Sequence, residues 1–194
     1  METNPFSTNY IAKTISGLEE VLANELTNLG APDVKIITRA VSFGGDTRML
    51  YEANLWCRTA LRILKPLFSF TVKSNDDLYK NIYEYPWETV FTVDHTFSID
   101  SVINESAFTH SHFVSQKVKD AVVDKFRSKY NTRPSVDTEN PDIRINIHIY
   151  KEGCDVSLDS SGESLHKRGY RVSSGLAPLS EVLAAGLIMH TGWK

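Results

Sequence analysis

The chain has 194 residues, of which 41% are hydrophobic and 23% charged, with a formal net charge of −3. These values exclude a disordered tail, a collagen and a low-complexity scaffold, and the length suits one large domain or two small ones. The net charge also argues against indiscriminate nucleic-acid binding, although it hides an asymmetry: residues 1–110 hold 9 Lys/Arg and 14 Asp/Glu, residues 111–194 hold 12 and 10. Aromatic and β-branched residues at close spacing predict a strand over Phe6–Thr14. Leu18, Val21, Leu22, Leu26 and Leu29 share one face at 3.6 residues per turn and predict a helix over Gly17–Gly30, with Ser16 as N-cap and Gly30 as C-cap. Val34–Thr38 and Ala40–Phe43 read as short strands, closed by Gly44-Gly45-Asp46. Thr47–Thr59 reads as a second helix with Met49, Leu50, Ala53, Trp56, Cys57 and Ala60 on its apolar face. Leu61–Val72 reads as a strand in which Pro66 needs an edge or a bend. The order βαββαβ predicts a ferredoxin-like sheet with two helices on one face.

A second α/β module follows. Asp76–Tyr85 reads as a short helix stopped by Pro86, and Phe97–Ile103 as a strand. Val114, Val118, Val122, Phe126 and Tyr130 form one i, i+4 line along a long helix over His112–Tyr130. Asn131–Pro141 reads as a polar loop, Ile143–Tyr150 alternates with a period of two, and Cys154–Leu158 returns beside it after the Gly153 turn. Ser160–Ser174, rich in Ser, Gly and basic residues, reads as a linker. Ser180–His190 is apolar nearly all round, a helix that needs burial on more than one side.

The start METNPFSTNYIAKT lacks the pattern of a signal peptide, and the longest apolar run, Val182–Met189, is far short of the roughly 20 residues that span a bilayer. Two distant cysteines, Cys57 and Cys154, make no disulfide framework and suit a reducing compartment. A soluble, cytoplasmic protein is expected. Both cysteines read as packing residues, as do Trp56, Trp87 and Trp193, in the core or at domain contacts. His110 and His112 lack a third ligand pattern and read as the residues that precede and cap the long helix, with no metal expected.

Three segments carry a family resemblance: GLEEVLANELTNLG at Gly17–Gly30, YEANLWCRTALRIL at Tyr51–Leu64, and DSSGESLHKRGYR with APLSEVLAAGLI between Asp159 and Ile188. Together they resemble the N-terminal part of THUMP-domain RNA methyltransferases, most of all the bacterial enzymes that methylate guanine N2 in 23S ribosomal RNA. The Gly162–Arg171 string is the most specific piece. The resemblance implies an α+β chain with a ferredoxin-like domain over 1–72, a THUMP RNA-binding domain over 73–160, and a linker with the first helix of a methyltransferase domain over 161–194. It implies S-adenosylmethionine as cofactor of the full-length protein. The glycine-rich cofactor loop and the (Asn/Asp)-Pro-Pro-Tyr segment of that family are not found in these residues, so no cofactor and no catalytic residue are expected in this chain. The methyltransferase domain is expected as a partner in cis.

RNA binding needs cations at phosphate spacing together with rings or polar groups for unpaired bases. His166, Lys167, Arg168, Tyr170 and Arg171 supply these within six residues; the same segment also reads as a hinge in which Arg168 or Arg171 pairs locally. Lys117, Lys129 and Arg133 on or just after the long helix are further candidates, although its cations scatter round the axis like those of a solvated face. Arg58 and Arg62, where helix gives way to strand, either face RNA or brace the joint between modules, and bracing is the favoured reading. The leading expectation is therefore a module that grips structured RNA, which the resemblance implies is 23S rRNA. Transfer RNA or an adenine target within the same family, and a structural or oligomerisation module that binds no RNA, are the alternatives.

Overall fold

The computed structural model describes residues 8–169 and 178–193, and it divides the chain into two compact units. The first combines residues 1–65 with 160–194, and the second is residues 66–159.

The first unit contains β1 (Thr8–Lys13), α1 (Glu19–Asn28), β2 (Lys35–Ile37), β3 (Ala40–Gly45), α2 (Thr47–Trp56) and the start of β4 (Arg62–Thr71). Its strand order is β2-β3-β1-β4, and its assigned pairs are antiparallel, which gives the βαββαβ ferredoxin-like arrangement. Register sets the core. Tyr10 lies opposite Phe43, and Ala12 lies opposite both Val41 and Ile63, so one sheet face presents these residues to Leu22 and Leu26 of α1 and to Leu50 and Ala53 of α2. The Tyr10 and Phe43 rings sit 5.5 Å apart.

The helix ends use different groups from those expected. Leu18, not Ser16, is the N-cap of α1 and makes no side-chain cap bond. The Glu19 carboxylate instead accepts from the backbone N–H groups of Gly17 and Arg39. At the other end Gly30, at φ +84°, donates to Thr27 while Ala31 donates to Leu26; these two bonds satisfy terminal carbonyls of α1. Helix α2 begins at the Asp46 side chain, which accepts from the Met49 N–H, and it ends at Trp56, before Thr59. Glu25 explains the early stop: its carboxylate accepts from the N–H groups of Arg58 and Thr59 and from the Thr59 hydroxyl.

The last part of the first unit is α5 (Glu181–His190). Val182 packs with Leu18 and Val21 of the first unit. Gly186 lies so close to Leu18 that an added Cβ would stand 2.5 Å from a Leu18 methyl. Among the described residues one side of this apolar helix is covered, and Leu187 and Ile188 are exposed.

The second unit contains the rest of β4, α3 (Asn75–Glu84), β5 (Thr96–Asn104), α4 (Ser111–Tyr130), β6 (Ser135–Val136), β7 (Ile143–Tyr150) and β8 (Gly153–Asp159). From β4 onward the order is β4-β8-β7-β5-β6. β5 runs parallel to β7 over eight register pairs from Phe97↔Ile143 to Asn104↔Tyr150, and β7 and β8 form an antiparallel hairpin. Two residues of the expected polar loop, Ser135 and Val136, pair with β5 as a parallel edge. Phe97, Ile145, Ile147, Ile149 and Val156 meet Leu78 and Ile82 of α3 and Val114, Val118, Val122 and Phe126 of α4 in one core. Trp87, in a short 3-10 turn after α3, is fully buried and donates its indole N–H to the Ile82 carbonyl. Pro66 is tolerated inside β4 because its pairing with β1 ends at Leu64.

Cys57 and Cys154 are fully buried, as expected, and burial pushes both thiols up to about 12. The tryptophans divide: Trp87 is core, whereas Trp56 and Trp193 are exposed, contrary to a packing role within these units. Among the described residues no helix is long and apolar enough to cross a membrane.

Candidate nucleic-acid interface

The described part of the basic segment expected as a linker, residues 160–169, is fastened within the first unit. Ser160 donates its N–H and its hydroxyl to the Ile63 carbonyl, the Ser161 hydroxyl accepts from the Ile63 N–H, and the Leu165 N–H donates to Leu61. Leu165 joins the core of that unit. Arg62 donates to the Gly162 carbonyl, a bond within the first unit and not across a joint between modules.

Arg168 is the centre of this arrangement. Its guanidinium donates to four backbone carbonyls, those of Leu165, Leu55, Asn54 and Cys57, at 2.7–3.1 Å. Three of them belong to the last turn and cap of α2, where unsatisfied carbonyls and the negative end of the helix dipole favour a cation. An RNA phosphate cannot use these donors without releasing the helix end. This geometry makes Arg168 a cap on the end of α2. His166 shares a 2.8 Å hydrogen bond with the Ser164 hydroxyl and is half-buried. Lys167 is exposed, 3.8 Å from the Glu163 carboxylate, a solvent-facing pair that holds little energy. Tyr170 and Arg171 lie outside the described residues.

The α4 cations are engaged in another way. Lys117 lies 5.0 Å from the centre of the Tyr79 ring and Lys125 lies 5.3 Å from that of Tyr83, both rings belonging to α3. Tyr79 donates its hydroxyl hydrogen to Asp124. Lys129 donates to Glu88, and that hydrogen bond holds the Glu88 carboxyl below its ordinary range and the Lys129 ammonium above its own. Arg133, just past α4, is exposed and has no acidic partner among the described residues. The described candidates divide between the units: His166, Lys167 and Arg168 lie in the first, and Lys117, Lys129 and Arg133 lie in the second.

Sequence reasoning passed over a cleft of about 300 Å³ in the second unit. It lies where β4 hands over to α3 and β5 to α4, and its walls include Lys73, Asn75, Phe108, His110 and Phe113. His110 is the N-cap residue of α4, as expected, but its side chain makes no cap bond. The available signal was Phe113, an aromatic residue one position off the buried line that begins at Val114.

Residues 9–64 match the family described as RlmL ferredoxin-like domain, and residues 72–159 match the THUMP domain. The chain carries an RlmL ferredoxin-like domain followed by a THUMP domain. This ferredoxin-like and THUMP chain is 43% identical to a protein named ribosomal RNA large subunit methyltransferase K/L from Syntrophotalea carbinolica, over 95% of this chain and 26% of that protein. It is also 43% identical to a protein from Synechocystis sp. named as an RNA methyltransferase, over 99% of this chain and 51% of that protein. Its fold is similar to that of SMU.472, described as a methyltransferase complexed with SAH, with a TM-score of 0.82 and 28% identity, covering all of this chain and 50% of that one. The THUMP and ferredoxin-like chain thus spans about half or less of the length of these relatives.

The glycine pair Gly44-Gly45 is the nearest thing here to a cofactor turn between strand and helix. It does not fit S-adenosylmethionine. Asp46 already accepts from the first turn of α2, and Met49 fills the space beside Gly45 so closely that a Cβ there would meet its side chain at 2.6 Å.

Proposed function

We propose that this chain is the RNA-gripping, substrate-presenting part of an S-adenosylmethionine-dependent methyltransferase that modifies guanine N2 of 23S ribosomal RNA in the cytoplasm. The observation that carries this reading is the 43% identity over 95% of the chain to a large-subunit ribosomal RNA methyltransferase, together with the THUMP match. Cofactor binding and methyl transfer belong to the part of the relatives that this chain does not span. The work of this part is positional. Holding a folded RNA so that one nucleotide reaches a distant pocket lowers the entropic cost of the reaction without touching the bond formed. A-form grooves hide base edges, so recognition rests on shape, phosphates and unpaired bases. Lys167 and Arg133 supply displaceable charge, and Lys117 and Lys129 add to it as cations already anchored over α3 rings or Glu88.

The test is titration of the chain with 23S ribosomal RNA fragments and with transfer RNA at increasing salt. Tighter binding to the ribosomal fragments is expected, with affinity falling linearly in log–log form as salt rises. Salt-insensitive binding, or none in dilute buffer, refutes the reading. Loss of N2-methylguanosine from the 23S RNA of cells lacking the gene, read by mass spectrometry, tests the base assignment.

A further inference from the structure

We propose that the outer face of α2 is the contact by which two copies of this chain pair, antiparallel, about a two-fold axis. Arg48, Tyr51, Glu52, Leu55 and Trp56 follow i, i+3, i+4, i+7 and i+8, which is one side of a helix at 3.6 residues per turn. The core of the first unit uses the other side of α2, through Leu50 and Ala53. On the outer side Tyr51, Leu55 and Trp56 are 70%, 62% and 59% exposed, and none of them joins a hydrophobic cluster among the described residues. Together they leave on the order of 400 Å² of apolar surface in water, a size at which a patch on a monomer is often functional. Tyrosine, tryptophan and arginine, all present on this stripe, are also the residues that dominate the binding energy of protein contacts.

Charge selects the occupant. Arg48 and Glu52, the charged groups of the stripe, pair with each other at 2.8 Å, so the stripe has no net charge to draw a polyanion or a basic segment. A copy of itself fits. With two α2 helices antiparallel and Tyr51 at the crossing, Arg48 of each copy comes within reach of the partner's Glu52, and the pair inside each helix is exchanged for a pair between helices. Leu55 and Trp56 then cover the aliphatic stem of the partner's Arg48. The face is rigid before it binds. Arg168 donates to the Asn54 and Leu55 carbonyls, and Glu25 accepts from the Arg58 and Thr59 N–H groups, so the end of α2 loses little freedom on association. Two such faces with their rims bury about 1,000 Å² in all, the lower edge of specific interfaces, and a dissociation constant on the order of 10 μM is expected. The pairing is independent of the RNA-binding reading.

The test is sedimentation velocity of the full chain, without RNA, from about 1 to about 200 μM, a range that brackets this affinity. The wild type should pass from monomer to dimer across it. Leu55→Glu should weaken association at least about tenfold and leave the urea midpoint unchanged, because this side chain lies outside the core. Arg48→Glu and Glu52→Arg each set like charges across the two-fold axis, so each alone should stay monomeric. An equimolar mixture of the two restores opposite charges at both contacts and should dimerise. A wild type that is monomeric at every concentration, a dimer that survives Leu55→Glu, or charge variants that do not associate on mixing overturn the proposal. The RNA titration described above stands or falls separately.

Discussion

The segment around Arg168 and the helix α4 both crowd cations into a short span, and they use that charge in opposite ways. Arg168 gives its donors to the backbone at the end of α2, so its charge is part of the fold. On α4 the cations lie over tyrosine rings or beside Glu88, partners that leave each ammonium with solvent-facing donors. Positive charge counted along a sequence is therefore not the charge offered to a polyanion. What matters is whether the cation's partners are the backbone carbonyls of a helix end, which do not let go, or exposed side chains, which do.

Removal of Arg168 should have the largest effect. Arg168→Ala is expected to cost about 2–3 kcal/mol, because it leaves the last carbonyls of α2 without charged donors. Urea denaturation checks this, and Arg168→Lys should not rescue it, since one ammonium cannot reach carbonyls that a planar fork bridges. An unchanged urea midpoint would contradict the capping role. Glu88→Gln should have a smaller effect with a defined pH signature. The carboxyl of Glu88 titrates below its ordinary value of 4.5 in the folded protein. Its stabilisation is therefore complete above pH 4.5 and is lost as pH falls through the lower folded value. The variant should lack this part of the acid-side slope, and equal slopes for the two proteins would contradict the Lys129 pairing. The smallest effect on stability is expected for Arg133→Ala: no shift in the urea midpoint, but a salt slope for RNA binding lower by about 0.9 if it contacts a duplex phosphate.

Most of the fold was legible because its signals are local. The period of two over Ile143–Tyr150, the apolar line along α4 and the glycine at the end of α1 each place an element to within a residue or two. What stayed hidden depends on partners far away in sequence. The two-residue strand β6 has no pattern of its own and exists only against β5. The 160–168 segment reads as a linker by composition, yet its bonds reach back to Ile63, Leu61 and Cys57, about a hundred positions earlier. The same distance hid the role of Arg168, which the sequence left divided between hinge and RNA contact. Phe113 was passed over for the opposite reason: it breaks the helical apolar line instead of continuing it.

Because the first unit is assembled from residues 1–65 and 160–194, the order of synthesis is the reverse of the order of completion. A ribosome making this chain releases the whole of the second unit when Asp159 emerges, while the end of α2 still waits for its guanidinium. The nascent ferredoxin-like domain must hold its exposed carbonyls in water for the time taken to translate about a hundred codons, and the arrival of Arg168 closes it.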